Sequence, residues 1–166
     1  MGTHTFLLVL CGMFVSTSAW AGPVSSSSQT CIIGALKAGS VAINNRTRLA
    51  SLYELYFAKE AIAKKSAGGL RWKRMSPMER NAQLKRVQNF DAGPMARRFA
   101  SYAGSKVLFI DESEGQVRGV VIKKDGERVT VIWHMGGGCT FVDISIPGTG
   151  PMTAFIGREI KQKESK

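Results

Sequence analysis

The hydrophobic period changes once along this chain of 166 residues, and the change limits the folds that it can adopt. From about Cys31 to Tyr102, apolar residues recur at the spacing of one helix face. From Lys106 to Ile146, they alternate with polar residues as in half-buried strands. Helices followed by a run of strands favour an α+β fold, with N-terminal helices packed on one face of an antiparallel sheet.

The first half carries two helix signals. One is the i, i+3, i+4, i+7 stripe of an amphipathic helix, which consists of Leu49, Leu52, Tyr53 and Tyr56. The other follows a Gly-Gly pair: Ser76 is the predicted N-cap, Pro77 takes the first helical position and Glu79 completes a capping box. Residues 91–94, which read Asp-Ala-Gly-Pro, are expected to break or kink this second helix.

The second half predicts a meander of four antiparallel strands, with the sequences KVLFIDE, QVRGVVIKK, RVTVIWHM and FVDISI. The Asp125-Gly126 pair is a strong hairpin signal between the second and third strands. After the last strand, Met152 to Lys161 are expected to form a short C-terminal helix.

The N-terminus has the features of an export signal. The first 21 residues contain no Lys, Arg, Asp or Glu and include an apolar run from Phe6 to Val15. This run is far shorter than the ~20 residues that span a bilayer, and Ala19 and Ala21 form a small-x-small cleavage site after it. We therefore expect residues 1–21 to be a signal peptide cleaved after Ala21, residues 22–30 a flexible leader, and residues 31–162 a single α+β domain.

Cleavage would leave two cysteines, Cys31 and Cys139. In an oxidising compartment such a pair is a candidate disulfide, and the alternative is two buried thiols. A bridge would close a loop of 108 residues, for which the chain-entropy model gives about 4–5 kcal/mol of stabilisation. His134 would be the only histidine left, and the cysteines lack ligand spacing, so no metal site is predicted.

Catalytic groups are scarce in this sequence. Asp143 lies in the middle of an apolar strand, where a buried carboxylate with a raised pKa would be a possible general base. Its alternation with Ser145, opposite a face formed by Val142, Ile144 and Ile146, predicts instead that it points to solvent.

Positive charge is concentrated in one segment. Residues 59–98 contain eleven Lys or Arg and three acids, so they hold +8 of the total formal charge of +11. In an exported protein the expected counter-charges are anionic lipid headgroups or an acidic partner, and no nucleic acid is expected. Plain solubility is the alternative explanation of the charge.

Two regions together carry a family resemblance. The segment LASLYELYFAKEAIAKKSAGGLRWKRMSPMERNAQLKRVQNF fits a motif of the form F..L....F....ia, a glycine and W..ls..qr..F, through Leu52, Leu55, Ile62, Ala63, Gly69, Trp72, Ser76, Pro77 and Arg80. The segments FVDISIPGTG and GREI fit the ending D..i.G.S......R.ef, through Asp143, Gly148, Arg158 and Glu159. Over residues 46–160 the chain thereby resembles the periplasmic phospholipid carriers of the Mla (maintenance of lipid asymmetry) pathway, also called toluene-tolerance auxiliary proteins.

The resemblance implies an α+β fold with a curved four-stranded antiparallel sheet, related to the NTF2-like and cystatin-like architectures. It implies a non-enzymatic periplasmic protein without a cofactor, and nothing in the sequence argues against a monomer. Such a protein carries phospholipid between an outer-membrane lipid complex and the substrate-binding component of an inner-membrane ABC transporter. The expected lining of its lipid cavity is Leu52, Tyr56, Phe99, Phe109, Val131, Trp133 and Ile144.

Two other functions remain open at this point. One is an enzyme on an NTF2-like scaffold with Asp143 as its base. The other is a basic interaction protein with a solid core, which binds a membrane surface or an acidic partner through the cationic segment. Either would explain the same apolar positions as ordinary core residues.

Overall fold

The computed structural model describes residues 21–42, 44–90, 102 and 104–165, and the structural statements below concern these residues. The helices are α1 (Ser26–Ala42), α2 (Arg46–Tyr56), α3 (Lys59–Ala67), α4 (Gly69–Arg74), α5 (Pro77–Phe90) and α6 (Met152–Glu164). The strands are β1 (Lys106–Ser113), β2 (Gln116–Ile122), β3 (Arg128–Met135), β4 (Phe141–Ile146) and β5 (Gly150–Pro151). Among the described residues, no helix is both long and apolar enough to cross a membrane.

The strands form one antiparallel sheet in the order β1-β2-β3-β4-β5. This arrangement confirms the predicted α+β class, the four-strand meander and the C-terminal helix. It corrects the number of strands to five, because Gly150 and Pro151 pair with the end of β4. A two-residue strand has no hydrophobic period from which it could be predicted. The NTF2-like or cystatin-like architecture is not established by this fold.

The segment before α1 is attached to the sheet. Gly22 exchanges two backbone hydrogen bonds with Glu112 of β1, at 3.1 and 2.9 Å. The Glu112 carboxylate also accepts hydrogen bonds from the Ser25 amide at 2.8 Å and the Ser28 hydroxyl at 2.7 Å. α1 begins at Ser26, so residues 26–30 of the predicted leader are helical in this structure. The division into a leader over residues 22–30 and a domain over residues 31–162 stays a prediction. The serine run was interpreted as a low-complexity segment, but Ser25 and Ser28 form hydrogen bonds with Glu112 at the start of α1.

A disulfide joins Cys31 of α1 to Cys139 in the loop between β3 and β4, with the two Cα atoms 5.4 Å apart. The predicted pairing is therefore present in the structure. Because the bridge connects the first helix to the far half of the sheet, it encloses most of the domain in one covalent loop.

The segment that carries the stripe of Leu49, Leu52, Tyr53 and Tyr56 does not continue as one helix to the Gly-Gly pair. α2 ends at Tyr56, and α3 begins at Lys59. Between them, Phe57 packs edge-on against Phe141, with ring centroids 5.6 Å apart, and the Ala58 amide donates to the Phe141 carbonyl at 2.9 Å. This tertiary contact with β4 overrides a sequence that would otherwise continue as one helix.

The joint between α4 and α5 is formed as the sequence predicts. The Ser76 amide donates to the Glu79 carboxylate at 2.7 Å, and the Glu79 amide donates to the Ser76 hydroxyl at 3.3 Å. The hydrogen bond from the Ser76 amide to the carboxylate is the main cause that holds the pKa of Glu79 below its usual value. Trp72 is buried at the joint, and the Arg80 guanidinium lies over its ring, 5.5 Å from the centroid. The predicted break at residues 91–94 lies outside the described residues.

Candidate functional site

One face of the sheet brings together four of the residues predicted to contact lipid. Phe109 is paired through Gly119 with Val131, and Trp133 is paired with Ile144. Since Val131 and Trp133 lie two residues apart on β3, the two rows are adjacent on the same face. Val131 and Trp133 are buried, whereas Phe109 and Ile144 are half-buried.

Gly119 shapes this face because it has no side chain. A Cβ atom at Gly119 would lie 2.9 Å from the Leu108 carbonyl oxygen and 3.1 Å from the Trp133 ring. Glycine therefore lets the indole lie close to the backbone of β2. The Trp133 ring is then 6.5 Å from the Phe109 ring, centroid to centroid. The result is a continuous aromatic and aliphatic surface across three strands.

The other predicted lining residues come from the helical half. Leu52 of α2 is buried in the same hydrophobic core as the sheet residues. Tyr56, one turn later, is half-buried, and its hydroxyl approaches α1 closely: a Cβ atom at Gly34 would lie 3.2 Å from it. Phe99 lies outside the described residues. Contact of any of these residues with lipid stays a prediction.

Asp143 is buried, which corrects the prediction that it points to solvent. Its side chain accepts hydrogen bonds from the Thr153 amide at 3.1 Å, the Thr153 hydroxyl at 2.6 Å and the Ile144 amide at 2.9 Å. The Lys65 ammonium of α3 lies 3.6 Å from the same carboxylate. The alternation rule failed here because Lys65 of α3 and Thr153 of α6 lie against the Asp143 side chain and cover it.

The contacts of Asp143 give it a structural role. Pro151 at the N-cap of α6 makes no side-chain capping bond, and Thr153 stands at the second position of the helix. Asp143 therefore supplies the missing cap from a neighbouring strand and places a negative charge at the positive end of the helix. The sequence shows an acid inside an apolar strand, which singles out Asp143. It does not predict that Thr153, ten residues later, is the hydrogen-bond partner of Asp143.

His134 lies beside Asp143, as its register partner on β3. It is half-buried, and its Nε2 atom lies 2.8 Å from the Ser145 hydroxyl. Burial lowers the pKa of His134, the Asp143 charge acts in the opposite direction, and the Lys65 charge lowers the pKa further. Within the described part of the chain, no cluster of three or more His, Cys, Asp or Glu is placed to hold a metal ion.

A second feature lies on the outside of the helical half. An open groove of about 390 Å³ runs along α4 and α5 and is lined by Arg71, Arg74, Met75, Glu79, Ala82 and Arg86. The sequence indicated a cationic segment here, but not that three of its arginines line one groove. The arginines reach the same groove because of the turn between α4 and α5, and the capping box fixes that turn.

A family model describing the MlaC protein matches residues 29–155. The chain belongs to the MlaC family. The matched range includes all five strands and every described residue of the predicted lipid site. The family that the sequence motifs resembled is thereby confirmed.

Among solved structures, the fold is similar to that of a phospholipid-binding protein from Ralstonia solanacearum in complex with a phospholipid. The TM-score is 0.63 at 14% sequence identity, with 82% of this chain and 87% of the other covered. At this identity the likeness concerns the fold alone. No curated protein matches the chain.

Proposed function

We propose that this MlaC-family protein binds phospholipid, with the acyl chains held between the helices and the sheet face of Phe109, Val131, Trp133 and Ile144. Leu52 and Tyr56 contribute from α2, and Phe99 belongs to the same predicted set. The observation that carries the proposal is membership of the MlaC family over a range that contains this face. The phospholipid in the Ralstonia solanacearum protein, which has the same fold, supports it.

The energetics of an acyl chain explain why such a face is needed. Exposing a chain to water costs about 0.8 kcal/mol per CH₂ group. A chain of roughly sixteen carbons therefore costs on the order of 10 kcal/mol, which a carrier must offset with apolar contacts. Aromatic and branched aliphatic side chains provide these contacts, and the charged headgroup needs none of them because it can stay in water.

The residues of the site divide by burial into two roles. Leu52, Val131 and Trp133 are buried and form the fixed wall of the core. Tyr56, Phe109 and Ile144 are half-buried and pack against that wall. These three have surface left to cover, so they are the residues that we assign to direct contact with an acyl chain.

The proposal includes no catalytic step. The alternative enzyme would use Asp143 as its base, and both carboxylate oxygens of Asp143 are already engaged by the start of α6 and by Lys65. A general base must reach a substrate proton within about 3 Å. A carboxylate that is 2% exposed and caps a helix is better explained as part of the scaffold.

We assign the protein to the periplasm, where it would carry phospholipid between an outer-membrane complex and an inner-membrane ABC transporter. The predicted signal peptide over residues 1–21 supports export. The Cys31–Cys139 disulfide fits an oxidising compartment. Both features concern the location of the protein.

Native mass spectrometry of the mature protein from a bacterial host, followed by lipid extraction, tests the binding. We expect a defined extra mass that is released as phospholipid. Phe109→Asn should reduce it strongly, because an amide would face the acyl chain. Leu108→Asn is the matched control, since Leu108 precedes Phe109 on β1, points to the opposite face and is 52% exposed.

A protein mass without ligand, unchanged after incubation with lipid vesicles, would contradict lipid binding. Equal losses in the Phe109 and Leu108 variants would contradict the proposed position of the site. Carriage is tested separately with donor and acceptor vesicles on the two sides of a dialysis membrane that the protein can pass. A carrier moves labelled phospholipid across, whereas a protein that binds lipid without releasing it does not.

A further inference from the structure

The helix pair α4–α5, residues 69–90, is the most strongly charged part of the described structure that the lipid site does not use. We call it the basic corner. It contains six Lys or Arg and one Glu, which leaves a net charge of +5 in 22 residues. Three of these cations, Arg71, Arg74 and Arg86, line the open groove between the two helices.

Two large apolar side chains are exposed at the same corner. Leu70 is 75% exposed and Met78 is 80% exposed, each in the first turn of its helix. Neither contributes to the hydrophobic core. Both are costly to leave in water, because burying a large apolar side chain is favourable.

These apolar residues adjoin the groove. Side chains four residues apart lie together on a helix surface, so Leu70 neighbours Arg74, and Met78 neighbours Ala82. Arg74 and Ala82 both line the groove. Cationic and apolar side chains are therefore interleaved on one surface.

The basic corner is also held rigidly. Buried Trp72 anchors α4 to the core, and the Ser76–Glu79 capping box fixes the start of α5. Arg80 donates to the Trp72 carbonyl at 3.3 Å across the joint. The inward side of these helices thus fixes the joint, and the outward side presents the charges in a defined arrangement.

We propose that the basic corner is a docking surface for the headgroup region of a bilayer that contains anionic phospholipid. Lys and Arg side chains bind such a surface at about 1 kcal/mol each, and apolar side chains between them enter the boundary between headgroups and acyl chains. This docking is distinct from the proposed lipid site and does not require it, because it uses other residues.

The arrangement fits a bilayer better than an acidic protein. Protein partners bury a contiguous, closely packed surface of about 800 Å² on each side. Here the exposed apolar side chains stand on separate helices with cations between them. A fluid bilayer accepts such separated side chains individually, whereas a protein partner needs a matching pocket for each.

Vesicle co-sedimentation tests the docking. The mature protein should bind vesicles of phosphatidylglycerol and phosphatidylethanolamine, and not vesicles of phosphatidylcholine alone. Binding should weaken steeply between about 0.1 M and 1 M salt, as the Debye length falls from about 10 Å to about 3 Å. A triple variant, Arg71→Gln with Arg74→Gln and Arg86→Gln, should lose on the order of a hundredfold in partitioning, at about fivefold per cation.

The matched control removes the same charge elsewhere, through Lys37→Gln, Lys161→Gln and Lys163→Gln, all at exposed positions. It should lose much less than the arginine variant. Leu70→Ser with Met78→Ser should lose roughly tenfold or more while the net charge is unchanged. Thermal unfolding of every variant should match that of the parent protein, since the substituted side chains lie outside the core.

Equal losses in the two charge variants would overturn the proposal, because net charge alone would then explain binding. An unchanged Leu70/Met78 variant would overturn it as well. If vesicles do not bind but the protein is retained on immobilised poly-glutamate, and the arginine variant is not, the surface serves an acidic protein partner instead.

Discussion

Replacing Asp143 with alanine would remove the group that joins β4 to the start of α6. Asp143 is 2% exposed and accepts two hydrogen bonds from Thr153, through its amide at 3.1 Å and its hydroxyl at 2.6 Å. Thr153 is itself buried, so water cannot readily replace the lost carboxylate. The substitution would therefore leave two buried donors of Thr153 without their acceptor.

The expected cost follows from these contacts. A hydrogen bond to a charged group contributes about 1.5–3 kcal/mol, and an unsatisfied buried donor carries a penalty of similar size. The Lys65 ion pair adds less than about 1 kcal/mol, because the Lys65 side chain is 46% exposed and 3.6 Å away. We expect Asp143→Ala to lower the free energy of unfolding by about 3–5 kcal/mol, a large part of the 5–15 kcal/mol typical of such domains.

Urea unfolding followed by tryptophan fluorescence measures this change, because Trp72 and Trp133 are both buried. Thr153→Val, which removes only the hydroxyl, should cost about 1–2 kcal/mol. The double variant with Asp143→Ala should then cost less than the sum of the two, since one bond is removed twice. Lys65→Gln is the control and should change stability by less than about 1 kcal/mol.

A loss below about 1 kcal/mol for Asp143→Ala would refute this assignment. A gain in stability would refute it more strongly, because carboxylates kept for catalysis are often destabilising to the fold. In that case the enzyme hypothesis would return. A large loss, with additive effects of the Asp143 and Thr153 substitutions, would show that the stabilisation does not pass through the Thr153 hydroxyl.

Three more predictions concern stability. Replacing Cys31 and Cys139 with serine should lower the free energy of unfolding in urea by about 4–5 kcal/mol, because the bridge closes a loop of 108 residues. The pKa of Glu112 is lowered, chiefly by the hydrogen bond from the Ser25 amide. Its stabilising contribution is therefore complete above the ordinary pKa of a glutamate and is lost as the pH falls through the lowered pKa of the folded state. Glu112→Gln should flatten the acid limb of a stability-against-pH curve measured by urea unfolding. Gly157→Ala should destabilise by about 1–3 kcal/mol in the same titration, because its Cβ atom would clash with the Ser66 carbonyl oxygen and push α6 away from α3.

Local signals in the sequence predicted much of the fold correctly. The capping box at Ser76 and Glu79, the Asp125-Gly126 hairpin and the alternating strands all specify structure within a few residues. The pairing of Cys31 with Cys139 was favoured because no other cysteine would remain after cleavage. Such features do not depend on how distant elements pack.

The features that the sequence did not predict depend on packing between distant segments. The helix breaks at Phe57 because Phe57 and Ala58 contact Phe141 of β4 instead of continuing the helical turn. Asp143 is buried because side chains of two helices cover it on the face that alternation assigned to water. The attachment of Gly22 to Glu112 likewise requires β1 to lie nearby. None of these three features can be predicted unless the fold is already known.

The candidate site shows the same division. Alternation correctly placed Val131 and Trp133 on one face, and the register adds Phe109 and Ile144 to it. The close approach of the indole to Gly119 was not predictable, because it depends on which residue pairs with which. Whether this face contacts an acyl chain is a property of the bound state, which neither alternation nor register determines.

The stretch from Gly68 to Arg80 combines two functions that a lipid carrier would have to keep apart. Its inward residues form the joint, and its outward residues form part of the basic corner. If the interior holds the lipid and the corner only docks the protein, the two properties should separate cleanly. The triple arginine variant should then retain its phospholipid mass but lose vesicle binding, and Phe109→Asn should do the reverse. Loss of both properties in either folded variant would mean that docking and lipid binding share one site, and would contradict the division of roles proposed here.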